Sequence, residues 1–298
     1  MVYTNIRGTE VQQLFETMPV LAPLYTNFEK NYDVDYWHQW SKDTWPAVPL
    51  ALCVLYLAAI FGGKHYMKDK QPAGDTNRNF LAAWNFLLST FSFMGMARTV
   101  PHVMHNLFSK SLQENVCQEA ADDWGSFSTG LWVQLFIYSK PFELIDTYFI
   151  VARKRPLIFL HWYHHVTVLL FCWHSYAFEA STGIFFVAMN YSVHAIMYGY
   201  YFLMAIRQKP KWLNPVYITM AQITQMLVGI SVCVAAYYYK NHAEGSCSVA
   251  DDNVMAGVVM YGSYAALFIK FALDRFLPES MRFGTGMEKN PKKTKKVE

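Results

Sequence analysis

Long stretches with almost no charged residues recur along this sequence of 298 residues. Each is close to the length of about 20 helical residues that crosses the hydrocarbon core of a bilayer. Only 16% of the residues are charged, against roughly 25% in an ordinary soluble domain. We therefore predict an all-α integral membrane protein with seven transmembrane helices, at 46–66, 80–104, 127–151, 157–178, 183–206, 213–239 and 254–276.

The loops between the predicted helices alternate in charge. Basic residues concentrate in four segments, 64–78, 153–155, 207–211 and 275–296. Acidic residues dominate the intervening segments 114–123 and 244–252. Because loops rich in Lys and Arg stay on the cytosolic side of a membrane, the N-terminus is predicted to be lumenal and the C-terminus cytosolic.

This topology divides the chain into three parts. The segment 1–44 is predicted to be lumenal, 45–278 to form the seven-helix transmembrane domain, and 279–298 to be a basic cytosolic tail. Lys295 and Lys296 match the dilysine retrieval signal of endoplasmic-reticulum membrane proteins. We therefore predict the endoplasmic reticulum membrane as the location, and a generic basic tail that attracts anionic lipid is the alternative.

The cysteines fall into two groups. Cys117 and Cys247 lie in the two acidic loops, which face the oxidising lumen in this topology, so we predict a disulfide between them. Two free thiols that never meet remain the alternative, because sequence gives no distance. Cys53, Cys172 and Cys233 lie within predicted spans and are interpreted as apolar packing residues.

Ionisable side chains inside a membrane are costly and usually functional. Four predicted helices carry polar side chains at similar depths, roughly 6–18 Å from their cytosolic ends at 1.5 Å per residue. They are Lys140, Glu143, Asp146 and Thr147, then His161, His164 and His165, then Asn190, His194, Tyr198 and Tyr201, and finally Thr219, Gln222 and Gln225. The pattern predicts a polar chamber between helices that is reached from the cytosol.

Several of these residues also have a purely structural interpretation. Lys140 with Glu143 or Asp146 could form a structural ion pair, Gln225 could be interhelical glue, and the two tyrosines could serve packing. The histidines at 161, 164 and 165 differ, because their spacing places all three on one face of a helix. Imidazole serves as a metal ligand, a general base or a nucleophile.

A metal site is the competing interpretation of the histidines. Membrane di-iron desaturases and hydroxylases also use an HxxHH box, but with more histidines spread over three boxes. Only His161, His164, His165 and His194 lie near the predicted chamber, which is too few for two irons. We therefore predict no metal and no other cofactor, and a mononuclear site stays open as an alternative.

Four motifs follow one another along the chain: KPFELIDT at 140–147, HWYHH at 161–165, HAIMYGYY at 194–201 and TMAQ at 219–222. Together they resemble the KxxExxDT, HxxHH, HxxMYxYY and TxxQ boxes of the ELO family of very-long-chain fatty acid elongases. The run LIFLHWYHH at 157–165 is most similar to the branch that elongates long-chain saturated and monounsaturated acyl-CoAs. Some polyunsaturated elongases share that run, so it does not identify the substrate.

The resemblance implies a fold and a reaction. Helices two to seven are expected to enclose a narrow acyl tunnel. The expected enzyme is an acyltransferase, a 3-oxoacyl-CoA synthase that condenses malonyl-CoA with a long-chain acyl-CoA and releases CO₂. This is the first step of microsomal fatty acid elongation. The expected partners are the lipid bilayer, the two CoA substrates, and the ketoacyl-CoA reductase, dehydratase and enoyl reductase of the cycle, with no nucleic acid. Whether the chain forms a homo-oligomer is left open.

The resemblance also implies roles for the motif residues. His164 is expected to take the acyl group as an acyl-imidazole, with His161 and His165 orienting it or moving protons. The other expected catalytic residues are His194, Asn190, Lys140, Glu143, Asp146 and Gln222. Glu143 and Asp146 would hold histidine tautomers, and Gln222 would donate to the thioester or enolate oxygen.

Substrate binding is assigned to a second set of residues. Tyr198, Tyr201 and Thr147 are expected to contact the substrates, and Lys270 and Arg153 to bind CoA phosphates. The plain alternative for the basic residues is that they only set the topology. Two other functions stay open: an iron-dependent fatty acid desaturase or hydroxylase, and a seven-helix receptor or transporter without enzymatic activity.

Overall fold

Helices dominate the computed structural model, which describes residues 3, 4, 8, 10–242 and 247–276. A two-stranded antiparallel pair, β1 (Tyr3–Thr4) and β2 (Glu10–Val11), precedes the short helices. The short helices are α1 (Leu14–Thr17), α2 (Asn27–Lys30), α3 (Asp35–Asp43) and α6 (Leu112–Cys117), with 3-10 turns at Pro19–Leu24 and Ala120–Asp122. The longer helices are α4 (Ala47–Tyr66), α5 (Asp75–Ser109), α7 (Phe127–Glu143), α8 (Asp146–Ala152), α9 (Phe159–Ala177), α10 (Gly183–Ala205), α11 (Pro215–His242) and α12 (Asp251–Phe276).

Four helices of the described chain are long and apolar enough to cross a membrane. They are Ala47–Tyr66, Asn77–Ser109, Pro215–His242 and Asp251–Phe276. Each coincides with one of the predicted spans. The three other predicted spans contain the KPFELIDT, HWYHH and HAIMYGYY motifs. The first of them is divided between α7, which has only 17 residues, and α8, and polar motif residues lower the hydropathy of α9 and α10. The all-helical architecture and a multi-pass membrane protein are thus confirmed.

The third predicted span is interrupted, so the prediction of one helix over 127–151 is wrong. Pro141 has no N–H to donate to the preceding turn, and α7 ends two residues later at Glu143. Over the break the backbone hydrogen bonds span three residues instead of four: Ile145 N–H donates to the Phe142 carbonyl, and Thr147 N–H donates to the Leu144 carbonyl. The interruption changes the direction in which the second half of the motif points.

The bundle is built from pairs of neighbouring helices. The most extensive packing joins α5 to α10 and α11 to α12, whereas α4 packs against α8 and α9 at the periphery. Gly95 allows the close approach of α5 to α10, because a Cβ at this position would overlap the ring of Tyr191. Buried apolar side chains of α7, α9, α10, α11 and α12 form one continuous core.

At the end of the bundle opposite the basic loops, two sets of contacts join the short helices α2 and α6 to the long helices. Cys117 and Cys247 are joined in a disulfide, so α6 is linked covalently to the segment that leads into α12. Near the start of the chain, Glu29 accepts hydrogen bonds from Arg98 Nε and Trp132 Nε1, both at 2.9 Å. Lys295 and Lys296 of the predicted retrieval signal lie outside the described residues.

Candidate active site

A cavity of ≈ 930 Å³ lies between α5 and the helices α7 to α12. No residue of α4 lines it in the described part of the chain. The lining includes side chains from all four sequence motifs: Glu143, Asp146, His161, His164, His165, His194, Tyr198, Tyr201, Thr219 and Gln222, together with Asn190. The structure therefore brings together residues that lie up to about 80 positions apart in sequence, while Lys140 and Thr147 stand just behind the wall.

The histidines of α9 form a contiguous group. The ring centroids of His161 and His165 are 4.6 Å apart, and those of His164 and His165 are 5.7 Å apart. His161 Nε2 is 2.9 Å from Thr147 Oγ1, which in turn is 2.8 Å from the hydroxyl of Tyr56 on α4. The Thr147 hydroxyl therefore positions His161 from outside the cavity lining. Its partners are protein side chains, so the predicted contact of Thr147 with substrate is corrected.

Glu143 is the centre of a buried charge network. Its Oε1 accepts hydrogen bonds from Lys140 Nζ at 2.7 Å and from Ser139 Oγ at 2.9 Å. Its Oε2 lies 3.9 Å from His194 Nδ1, which is close enough for a charge interaction but too long for a hydrogen bond. Lys140 Nζ also donates to Asn190 Oδ1 at 3.3 Å, so the network ties α7 to α10.

Asp146 occupies a different environment from Glu143. Its two oxygens accept hydrogen bonds from Trp84 Nε1 and from the Tyr198 hydroxyl, each at 2.6 Å. The predicted contact between Asp146 and a histidine is absent among the described residues. The break after α7 is the physical reason, because it turns Asp146 toward α5 and α10. The sequence offered no signal for Trp84, since a tryptophan in an apolar helix is usually a packing residue.

Gln222 approaches the cavity from α11, where its amide is 3.4 Å from the sulfur of Met197. Gln225, one turn further along α11, also lines the cavity. The sequence alone had left open whether Gln225 is a structural contact between helices or a site residue. Tyr201 lines the same space near the outside and is 46% exposed. The predicted polar groups of α10 and α11 thus face the histidines of α9 across one space.

Arginines surround the open end of the cavity. Arg153 is among them, as predicted, together with Arg78, Arg155, Arg207 and Arg275. Lys270 is not: it pairs with Asp274 at 2.9 Å on the exposed side of α12, so its predicted place in the binding site is corrected. Basic loops are visible in the sequence, but the direction of each side chain depends on how the helix ends meet.

Metal binding was the alternative to histidine catalysis. Within the described part of the chain, no group of three or more His, Cys, Asp or Glu side chains is placed to share a metal ion. His161 and His194 instead have Thr147 and Glu143 as their neighbours. The arrangement can therefore supply imidazoles and a buried carboxylate–ammonium pair directly to a substrate.

Comparisons with known proteins agree with the motifs. Residues 41–282 match the GNS1/SUR4 family, abbreviated ELO. The chain is 40% identical to "Very long chain fatty acid elongase 6" of Drosophila melanogaster over 252 residues, which cover 83% of this chain and 78% of that protein. It is 38% identical over 269 residues to the Gallus gallus protein of the same name, covering 89% and 97% of the two chains.

A more distant relative carries a related name. "Fatty acid elongase 3" of Trypanosoma brucei brucei is 36% identical over 278 residues, covering 85% of this chain and 91% of that protein. The prediction of a fatty acid elongation enzyme, made from the four motifs, is confirmed. On the extent of the family match and on these relatives, the chain belongs to the GNS1/SUR4 (ELO) family.

Proposed function

We propose that the protein condenses malonyl-CoA with a long-chain fatty acyl-CoA, and that His164 carries the acyl group between the two half-reactions. The observation that carries this proposal is the cavity into which five helices, α7 to α11, project residues of the four family motifs. The cavity lies at the end of the bundle that bears the basic loops, which suits an anionic CoA ester entering from the cytosol.

The membrane arrangement is part of the proposal. We infer seven spans, in which α7 and α8 together form the third and α9 and α10 the fourth and fifth. The alternating loop charge supports this number, and so does the length of α9 and α10, 19 and 23 residues. Helices α5 and α7 to α12 then enclose the acyl chain, with the Cys117–Cys247 disulfide in the lumen of the endoplasmic reticulum.

His164 is the best placed nucleophile of the three histidines on α9. Neither of its ring nitrogens has a hydrogen-bond partner among the described residues, whereas His161 is engaged by Thr147. His165 is only 6% exposed, and its ring packs against His161 and Tyr56. An unengaged nitrogen that faces the cavity is what attack on a thioester carbonyl requires.

The reaction proceeds in two balanced steps. In the first, a ring nitrogen of His164 attacks the thioester carbon, the carbon–sulfur bond breaks, and the proton of the other ring nitrogen passes to the CoA thiolate. In the second, malonyl-CoA loses CO₂, and the resulting enolate attacks the acyl carbon and expels the imidazole, which regains a proton. The products are 3-oxoacyl-CoA, CoA and CO₂, and one proton is consumed overall.

Neighbouring side chains support these steps. Gln222 donates to the oxygen that gains charge, which is the usual way that an enzyme stabilises an enolate or a tetrahedral intermediate. The Lys140–Glu143 pair orients His194 without adding net charge to the site. His161 and His165 relay the proton, and the arginines at the mouth bind the CoA phosphates, for which the planar guanidinium is well suited.

The product also determines the partners. A 3-oxoacyl-CoA must be reduced, dehydrated and reduced again to become a saturated chain. We therefore propose that the protein works beside a ketoacyl-CoA reductase, a dehydratase and an enoyl reductase in the same membrane.

Purified protein in nanodiscs tests the proposal with radiolabelled malonyl-CoA and a panel of acyl-CoAs. His164→Ala is expected to lower condensation by at least about 10³-fold, as loss of a nucleophile does. His174→Ala is the matched control, because His174 lies on the same helix but contacts Asn253 outside the cavity. Incubation with acyl-CoA alone is expected to add one acyl mass to the peptide that contains His164. Condensation without this adduct would contradict the proposed role of His164 as the nucleophile.

A further inference from the structure

We propose that Tyr264, on the last helix, is a positioning residue that fixes the imidazole of His164 for acyl transfer. The inference rests on the proposed function of His164 and adds a residue from α12, a helix that carries none of the four motifs. Tyr264 itself is 1% exposed and does not line the cavity, so it acts on the substrate only through His164.

Tyr264 holds His164 in two ways. Its ring lies beside the imidazole, with centroids 4.9 Å apart and planes tilted by 42°. Its hydroxyl is 3.2 Å from the backbone oxygen of His164 and 2.5 Å from Thr167 Oγ1. One residue of α12 therefore contacts both the side chain of the histidine and the turn of α9 that carries it.

His164 needs such support more than its neighbours do. A histidine is usually oriented by a hydrogen bond to one ring nitrogen, as Thr147 supplies for His161. No such bond reaches either nitrogen of His164 within the described residues. Packing against Tyr264 therefore keeps the ring in one rotamer without engaging either nitrogen in a hydrogen bond. A turn to another staggered rotamer would carry the attacking nitrogen away from the thioester.

The rest of α12 makes Tyr264 a rigid support. Ser263 Oγ is 3.0 Å from the hydroxyl of Tyr163, which gives a second tie to α9 one residue earlier. Gly257 lets the helices come together, because a Cβ there would stand 2.8 Å from the sulfur of Cys233 and 3.4 Å from the Phe171 ring. Tyr264 is therefore anchored to a helix that cannot shift freely against α9.

The test measures, in one purified membrane preparation, the rate at which His164 is acylated by acyl-CoA alone and the KM for that substrate. Tyr264→Leu removes the ring and is expected to slow acylation by about 10²-fold with KM unchanged, because a displacement of about 1 Å has that effect on a reacting group. Tyr264→Phe keeps the ring but removes the hydroxyl, and a loss of about 3- to 10-fold is expected.

Tyr191→Phe is the matched control. Tyr191 is equally buried, and its hydroxyl also donates to a backbone oxygen of a neighbouring helix, that of Trp132 at 2.8 Å. The control is expected to retain the wild-type acylation rate to within about 2-fold, because its hydrogen bond does not touch the histidines. If Tyr264→Leu does not fold, the acylation rate of Tyr264→Phe relative to Tyr191→Phe is sufficient to test the inference.

Three results would overturn the inference. Wild-type acylation rates in both Tyr264 variants would show that the contact has no role in positioning. Equal losses in Tyr264→Phe and Tyr191→Phe, or a loss that follows melting temperature or KM, would assign Tyr264 to the fold. If the wild-type protein condenses without an adduct on His164, both the Tyr264 inference and the nucleophilic role of His164 are rejected. If the adduct forms and the Tyr264 variants acylate at the wild-type rate, only the Tyr264 inference is rejected.

Discussion

Lys140 Nζ lies 2.7 Å from Glu143 Oε1 on the same helix, and the two side chains are almost completely enclosed, at 2% and 5% exposed. Removing one member strands the other as an unpaired charge, which costs about 3–5 kcal/mol at buried sites. We expect Lys140→Met to lower the free energy of unfolding by about this amount and to abolish condensation. Thermal unfolding in detergent and the radiolabelled assay measure the two effects.

The double variant Lys140→Met/Glu143→Leu separates stability from catalysis. Replacing both charges with apolar groups is often neutral for stability or even favourable. We expect the double variant to recover most of the lost stability and none of the activity. Recovery of activity as well would show that the pair is only structural.

Three aromatic rings pack together just outside the cavity lining, on the side of Asn190 that points away from the arginines. Phe186 is 6.0 Å from Phe171 and 5.0 Å from Tyr261, measured between ring centroids, and it lies one turn from the lining residue Asn190. In the proposed orientation, with CoA at the arginines, a longer acyl chain would extend toward these rings, so Phe186→Ala is expected to shift products toward longer chains. It is also expected to cost about 3–5 kcal/mol of stability.

Phe202→Ala is the control for the chain-length effect. Phe202 is on the same helix, pairs with Phe86 at 5.3 Å, and does not line the cavity. Chromatography of the radiolabelled products gives the distribution of lengths. An unchanged distribution in Phe186→Ala with retained activity would mean that the chain leaves the bundle by another route.

Glu29 is expected to make the stability of the N-terminal segment depend on pH. Burial alone would raise the pKa of Glu29, but hydrogen bonds from Arg98, the Thr26 backbone and Trp132 lower it from the ordinary 4.5 to about 2. A lowered pKa means that the stabilisation is complete above the ordinary value and is lost as the pH falls toward the folded-state value.

The melting temperature of the wild type should therefore fall between about pH 5 and pH 2 more steeply than that of Glu29→Gln. The variant cannot titrate at this position, so it isolates the contribution of the carboxyl group. Parallel curves for the two proteins would rule out Glu29 as the source.

Because Gly95 packs against the Tyr191 ring, we expect Gly95→Ala to have the opposite effect on stability from the one that helix propensity predicts. Alanine is normally better than glycine inside a helix by about 1 kcal/mol. A Cβ at Gly95 would nevertheless overlap the Tyr191 ring, so we expect Gly95→Ala to destabilise by about 1–3 kcal/mol. Gly262→Ala on α12 meets nothing within 4 Å and is expected to be neutral or slightly stabilising. Unfolding in detergent compares the two variants.

The sequence by itself determined the class of protein, the family and most of the candidate site. Charge-poor stretches of spanning length can be recognised without coordinates, because the cost of a charge in hydrocarbon acts on each residue separately. The spacing of His161, His164 and His165 likewise fixes their common face, because it depends only on the helical repeat. Four motifs in order were enough to identify the elongase family.

Only the tertiary structure decided which helices face one another. The break after Glu143 sends Asp146 to Trp84 and Tyr198, while the unbroken first part points Glu143 toward His194. Tyr264 contacts His164 across 100 residues of sequence, and Lys270 on the same helix turns away from the cavity. Periodicity defines the faces of a single helix, but the packing of separate helices depends on side-chain shapes along their whole length, which no local pattern encodes.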